Sequence, residues 1–209
     1  MVADFLSRTI CHIQSVNGSY QMVKINLNTP LHIDFRHQET QAKLFNSLQQ
    51  FYNLKTPFNT ITVTQLCADA HVGRATFYRN HEKIDDIIYI QFLILINDFK
   101  LRVDDRQEIN FQYASQLIVQ LIIDNINLFN LMEWSNIEKQ ITELFSGTVH
   151  SILINRSAQL NHADIISNVI GSSILNFAVQ ITKHSDLLSV SEATKLYQIL
   201  IPDLPANQT

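Results

Sequence analysis

Residues 62–80 read Thr62-Val63-Thr64-Gln65-Leu66-Cys67-Ala68-Asp69-Ala70-His71-Val72-Gly73-Arg74-Ala75-Thr76-Phe77-Tyr78-Arg79-Asn80, and this stretch decides the fold. Thr62 and Gln65 have the spacing of a capping box: the hydroxyl accepts from the third backbone amide and the amide side chain reaches back. A short helix to Asp69 follows. Ala70-His71-Val72-Gly73 breaks it, and a second short helix spans Arg74 to Asn80. Val63, Leu66, Cys67, Ala70, Val72 and Phe77 fall on one inner face, leaving Thr64, Arg74, Ala75, Thr76, Tyr78 and Arg79 pointing outward. Two short helices joined by a tight turn, against a longer preceding helix, make a helix-turn-helix. Its second helix offers hydrogen-bond donors to phosphates and base edges.

Upstream, Leu44, Phe45, Leu48, Phe51, Tyr52 and Leu54 recur at helical spacing from residue 38, and Pro57 stops the run. Residues 1–36 hold no sustained period and include Asn17-Gly18 and Asn28-Thr29-Pro30, the pattern of an irregular arm or a weak hairpin. Downstream, a strongly apolar helix is expected from Lys83 to Val103. Its run Ile87 to Ile96, broken only by Gln91, is about half of what a membrane span needs. Asp105 with Glu108, Ser135 with Glu138, and Ser189 with Glu192 have capping-box spacing, and Asn161 is a cap by itself. Helices follow near 107–124, 126–132, 136–156, 162–183 and 190–200, the last ended by Pro202. The chain reads as all-α in three parts: an arm over 1–37, a helix-turn-helix domain over 38–98 and a helical C-terminal regulatory and dimerisation domain over 99–209.

Composition agrees. At 209 residues the chain suits one sizeable domain, or a small module fused to a larger one. Four Gly and four Pro are few for a β-rich fold. Cys11 and Cys67 lie far apart, without CxxC or Cys/His spacing, so neither a disulfide framework nor a zinc site is indicated. With no signal-peptide pattern in MVADFLSRTICHIQ, a cytoplasmic location away from the membrane is expected. The formal net charge of -4 is unevenly placed: residues 36–84 carry six basic and three acidic residues, residues 85–209 seven basic and fourteen acidic. An acidic body bearing a basic end is the balance of a nucleic-acid-binding protein, although this patch is weak. The histidines show no HxxxH or HExxH spacing, and no phosphate loop or GxSxG elbow occurs, so no catalytic residue, metal or cofactor is expected.

The 62–80 stretch, above all Ala75-Thr76-Phe77-Tyr78-Arg79, resembles the signature of the TetR family of bacterial repressors, with Asp85-Asp86-Ile87-Ile88 as its acidic-apolar sequel. The likeness covers residues 38–98. Three positions depart from the pattern: His71 stands for the turn glycine, Gly73 for the serine cap, and Ile84 for a phosphate-binding lysine that Lys83 replaces one residue early. The resemblance implies a ligand-responsive repressor that binds a pseudo-palindromic double-stranded DNA operator as a homodimer. Thr62 and Tyr78 would contact phosphates, and Gly73, Arg74, Ala75 and Thr76 would face bases, with Arg74 able to read guanine bidentately. Thr64, Arg79 and Lys83 complete the expected DNA-binding set.

The last two helices carry Ile166, Val169, Ile170, Ser173, Ile174, Phe177 and Ile181 as a stripe, flattened by Gly171-Ser172-Ser173. Such a stripe serves as an internal seam or a dimer face. The resemblance favours the dimer. Any small-molecule effector would be enclosed by helices 107–183, with Tyr113, Phe129, Met132, Trp134, Phe145, His150 and Phe177 as expected lining residues. The alternative to a DNA-binding regulator is a TetR-fold protein-interaction or ligand-binding module with little specific DNA affinity.

Overall fold

The structure, a computed structural model, describes residues 35–104, 110–155, 161–184 and 188–203. Within them the chain is all-α: α1 (Phe35–Asn53), α2 (Val63–Asp69), α3 (Arg74–Asn80), α4 (Asp85–Asp104), α5 (Phe111–Asp124), α6 (Ile126–Ser135), α7 (Glu138–Asn155), α8 (Ala163–Lys183) and α9 (Val190–Leu200). A 3₁₀ turn at Phe58–Thr60 links α1 to α2. The expected arm, with Cys11, lies outside the described residues, except that helix already begins at Phe35, inside the arm's expected boundary. The Asp105/Glu108 box also falls outside them.

Two expected capping boxes form. Thr62 Oγ1 accepts from the Gln65 amide at 3.2 Å while Gln65 Oε1 accepts from the Thr62 amide at 3.0 Å. Ser189 and Glu192 repeat the exchange at the start of α9. Two other expected caps do not form. The Ser135 hydroxyl donates back along α6 to the Leu131 and Met132 carbonyls, and Asn136 adopts a left-handed φ of 57° that turns the chain into α7. At α8 the capping position is His162, φ 64°, without a side-chain bond, and Asn161 precedes it. Spacing shows where a capping box can form; the backbone bend into the helix decides whether it does. The start of α5 belongs to Asn110, whose Oδ1 accepts from the Tyr113 amide at 2.8 Å.

The helices share one continuous core. Leu44 and Leu48 of α1, Leu66 of α2, Phe77 of α3 and Ile87, Ile88 and Phe92 of α4 are fully buried in it. Burying each such side chain contributes about 1.5–3 kcal/mol. The Phe92 ring meets Phe129 of α6 edge-on at 5.3 Å and Phe145 of α7 at 6.2 Å, so α4 runs from the first three helices into the C-terminal ones without a break in packing. The closest helix pair is α7 with α8. A Cβ built on Gly171 would stand 2.5 Å from the Ser146 backbone nitrogen, so the two backbones meet where a side chain would otherwise stand. One described helix, α8, is long and apolar enough to cross a membrane. Ile170, Ile174, Phe177, Ala178 and Ile181 on it are buried within the chain.

Candidate functional site

The turn between α2 and α3 closes with paired backbone bonds. The Val72 amide donates to the Cys67 carbonyl at 2.9 Å and the His71 amide to the Ala68 carbonyl at 3.3 Å, the arrangement that ends a helix with a left-handed residue. His71 is that residue, at φ 52°. Gly73 then caps α3 with extended backbone and no side-chain bond. Leu66, Cys67, Ala70 and Phe77 are buried under the pair, as the sequence pattern requires.

Two polar ties fix this pair to the rest of the chain. Ser47 of α1 donates to the Asp69 carboxylate at the end of α2, 2.6 Å. His81, just past α3, is buried and stacks on Phe77, with ring centroids 5.3 Å apart. Its Nε2 lies 2.9 Å from Gln41 Oε1, and Gln41 Nε2 donates to the Ile87 carbonyl at 2.7 Å. That second bond orients the amide, so Nε2 carries the ring proton and donates. Nδ1 is buried and, among the described residues, has no well-formed hydrogen bond. Burial pushes the imidazole below its ordinary pKa, with the Asp86 carboxylate opposing the shift. One carboxylate oxygen of Asp86 accepts from the Glu82 and Lys83 amides and shapes the entry to α4, which therefore starts at Asp85.

Thr62, Thr64, Gly73, Arg74, Ala75, Tyr78, Arg79 and Lys83 are all exposed, and Thr76 is half-buried. Tyr78 is 54% exposed and braces its ring edge-on against Phe77. Among the described residues neither Arg74 nor Arg79 has a carboxylate partner. Lys83 does: its ammonium sits 2.7 Å from Asp85. Ile84 is half-buried against the core, where it supports packing.

A cavity of about 370 Å³ lies between α4, α5, α7, α8 and α9. Of the residues expected to line it, Phe129 and Phe145 do. Tyr113, Met132, Trp134, His150 and Phe177 do not. Met132 is fully buried core. Phe177 packs edge-on against Tyr197 at 5.3 Å, and it is Tyr197 that reaches the cavity. Trp134 acts elsewhere: its ring meets Phe58 at 5.0 Å and Tyr52 at 5.6 Å, and its Nε1 donates to the Thr56 carbonyl at 3.0 Å.

The α8 stripe divides. Ile170, Ile174, Phe177 and Ile181 face inward, whereas Val169 is 60% exposed. Gly171 serves α7 of the same chain. Exposed apolar residues remain on both final helices: Ile165 and Val169 of α8, and Leu196, Ile199 and Leu200 of α9.

No protein-family model matches the chain, and no curated protein matches it significantly. Among solved structures, the crystal structure of Lin0861 from Listeria innocua is similar at 30% identity and a TM-score of 0.76, over 86% of this chain and 97% of that one. The chain belongs to the Lin0861 family. The name states no activity, so membership carries the helical fold and leaves the task to be argued from side chains.

Sequence reading missed Gln41, Ser47, His81 and Tyr197. Gln41 and Ser47 sit in a segment recognised as helical and His81 just past another, but their bonding partners lie 22 to 46 residues away and no local spacing announces them. Tyr197 sits in a correctly expected helix.

Proposed function

We propose that the protein is a ligand-responsive, DNA-binding transcriptional regulator of the TetR type, a repressor that binds a pseudo-palindromic operator as a homodimer. The observation that carries this reading is the outer face of α2 and α3. Thr62, Thr64, Arg74, Ala75, Tyr78 and Arg79 stand in solvent on a pair of short helices whose other face is locked into the core. A recognition helix must be rigid behind and polar in front. By the family resemblance, Tyr78 and Thr62 meet phosphates and Arg74 reads a guanine.

The exposed apolar residues Ile165, Val169, Leu196, Ile199 and Leu200 are suited to a second copy, which would set the two recognition helices one operator half-site apart. The effector part of the reading rests on α4. This helix begins beside α3 and presents Ile96 and Phe99 to the cavity wall, so occupancy there biases how the reading helices are held.

The test is binding to DNA from the protein's own promoter region across a salt series. The expected result is a specific complex whose log affinity falls linearly with log salt. Tyr78→Ala abolishes it. Arg74→Ala weakens it by about tenfold or more and relaxes preference at one base position. Binding no tighter than to random DNA at every salt concentration refutes the reading. A second reading, a TetR-fold interaction or ligand-binding module, has the Lys83–Asp85 pair and the inward Ile84 in its favour, because both subtract from an already weak basic patch.

A further inference from the structure

We infer that the cavity between α4, α5, α7, α8 and α9 takes an uncharged, largely apolar small molecule bearing one hydrogen-bond acceptor, which the Tyr197 hydroxyl receives. This names the chemical class of the effector, and it rests on the regulatory reading only for the consequence of binding.

Most of the lining is aliphatic or aromatic, with Leu95, Ile118, Phe129 and Ile152 as examples. Its buried hydroxyls are committed to their own helices: Ser115 donates to the Phe111 carbonyl at 2.6 Å and Thr148 to the Leu144 carbonyl at 2.8 Å. The Asn110 side chain caps α5. Tyr197 is 2% exposed and lines the cavity, yet its hydroxyl has no hydrogen bond among the described residues. A phenol in the cavity wall with no protein partner is a donor open to the cavity, and a ligand acceptor engages it. Among the described residues the only ionisable groups in the lining are this phenol and the carboxylate of Asp203, and Asp203 is exposed. An anion entering would lose hydration to apolar walls that, among the described lining residues, offer it no cation. The volume is that of a site for a small organic molecule.

Three phenylalkyl compounds of similar size separate these terms: benzylacetone, with a ketone acceptor; butylbenzene, with none; and phenylbutyrate, an anion at neutral pH. Each is titrated against the protein saturated with the neutral fluorescent dye N-phenylnaphthylamine. Benzylacetone is expected to displace the dye at a concentration at least tenfold below that of phenylbutyrate. Tyr197→Phe weakens benzylacetone by about fivefold, the ratio one neutral hydrogen bond gives, and leaves butylbenzene unchanged. The same variant keeps or raises Tm, because the lost hydroxyl has no protein partner. Ala114→Trp, which fills the cavity from α5, removes dye binding. Phenylbutyrate binding as tightly as the ketone, equal losses for ketone and hydrocarbon in Tyr197→Phe, or no dye binding at all overturns the inference. DNA is absent throughout, so failure here leaves the DNA-binding reading standing, and a protein that binds ketone but no operator sinks only the latter.

Discussion

At His71 the backbone holds φ at 52°, a conformation that glycine adopts freely and other residues do not. The side chain is exposed and makes no bond that would offset the strain. His71→Gly is therefore expected to stabilise the protein by about 1 kcal/mol, read as a rise in the urea midpoint at unchanged m-value. No change, or a fall, would mean that the imidazole is worth more than its strain. His81 behaves in the opposite way. Its imidazole is held neutral by burial, so the unfolded chain binds the proton more readily than the folded one and stability rises with pH. The loss begins as pH falls through the unfolded value of 6.5 and continues until the lower folded value is passed. Between pH 7.5 and 5.5 the wild type should lose more stability than His81→Gln, measured by urea melts at both values. Equal slopes for the two proteins would show that His81 does not carry the dependence. His71 was legible in sequence because a tight turn demands a left-handed residue at that place in the motif. His81 was not, because its burial and its bond to Gln41 exist only once α1 and α4 are packed.

At the scale of the helix, the capping boxes make a matched pair of tests. Thr62→Ala and Ser189→Ala each remove a reciprocal cap and should each cost about 1 kcal/mol. Only Thr62→Ala should weaken DNA binding beyond its effect on stability, since α9 lies outside the proposed interface. Gly171→Ala should cost more than either, because the new methyl meets the Ser146 backbone and one helix must move. A drop in Tm above that of Ser189→Ala checks this. Helix existence was readable from periodicity and caps, and the α9 boundaries fell where spacing put them. The partner of a flat, small-residue surface was not. Gly171 invites close approach from anything, and sequence alone does not distinguish α7 of the same chain from α8 of a second one. The Ile166–Ile181 stripe has the same ambiguity: α8 is apolar around most of its circumference, so its inner and outer faces blend into one pattern.

For the molecule as a whole, the five exposed apolar residues on α8 and α9 predict association. Val169→Asp combined with Ile199→Asp, both on exposed positions, should leave the fold intact by circular dichroism and convert a dimer to a monomer in sedimentation. A wild type that sediments as a monomer at micromolar concentration would remove the homodimer from the proposal. The aromatic residues expected around a ligand illustrate what only tertiary structure decides. Phe129 and Phe145 reach the cavity, while Trp134 turns away to hold Tyr52, Phe58 and the Thr56 carbonyl. Trp134 is also the chain's single tryptophan. Its indole therefore works as a built-in optical gauge of the seam between α6 and the segment leading to α2. Any event that parts this seam wets the ring and moves its emission to longer wavelength. Any event that leaves the seam closed is silent. Without a label, stopped-flow fluorescence would then time the separation of the two halves and say whether it comes before or after a ligand arrives.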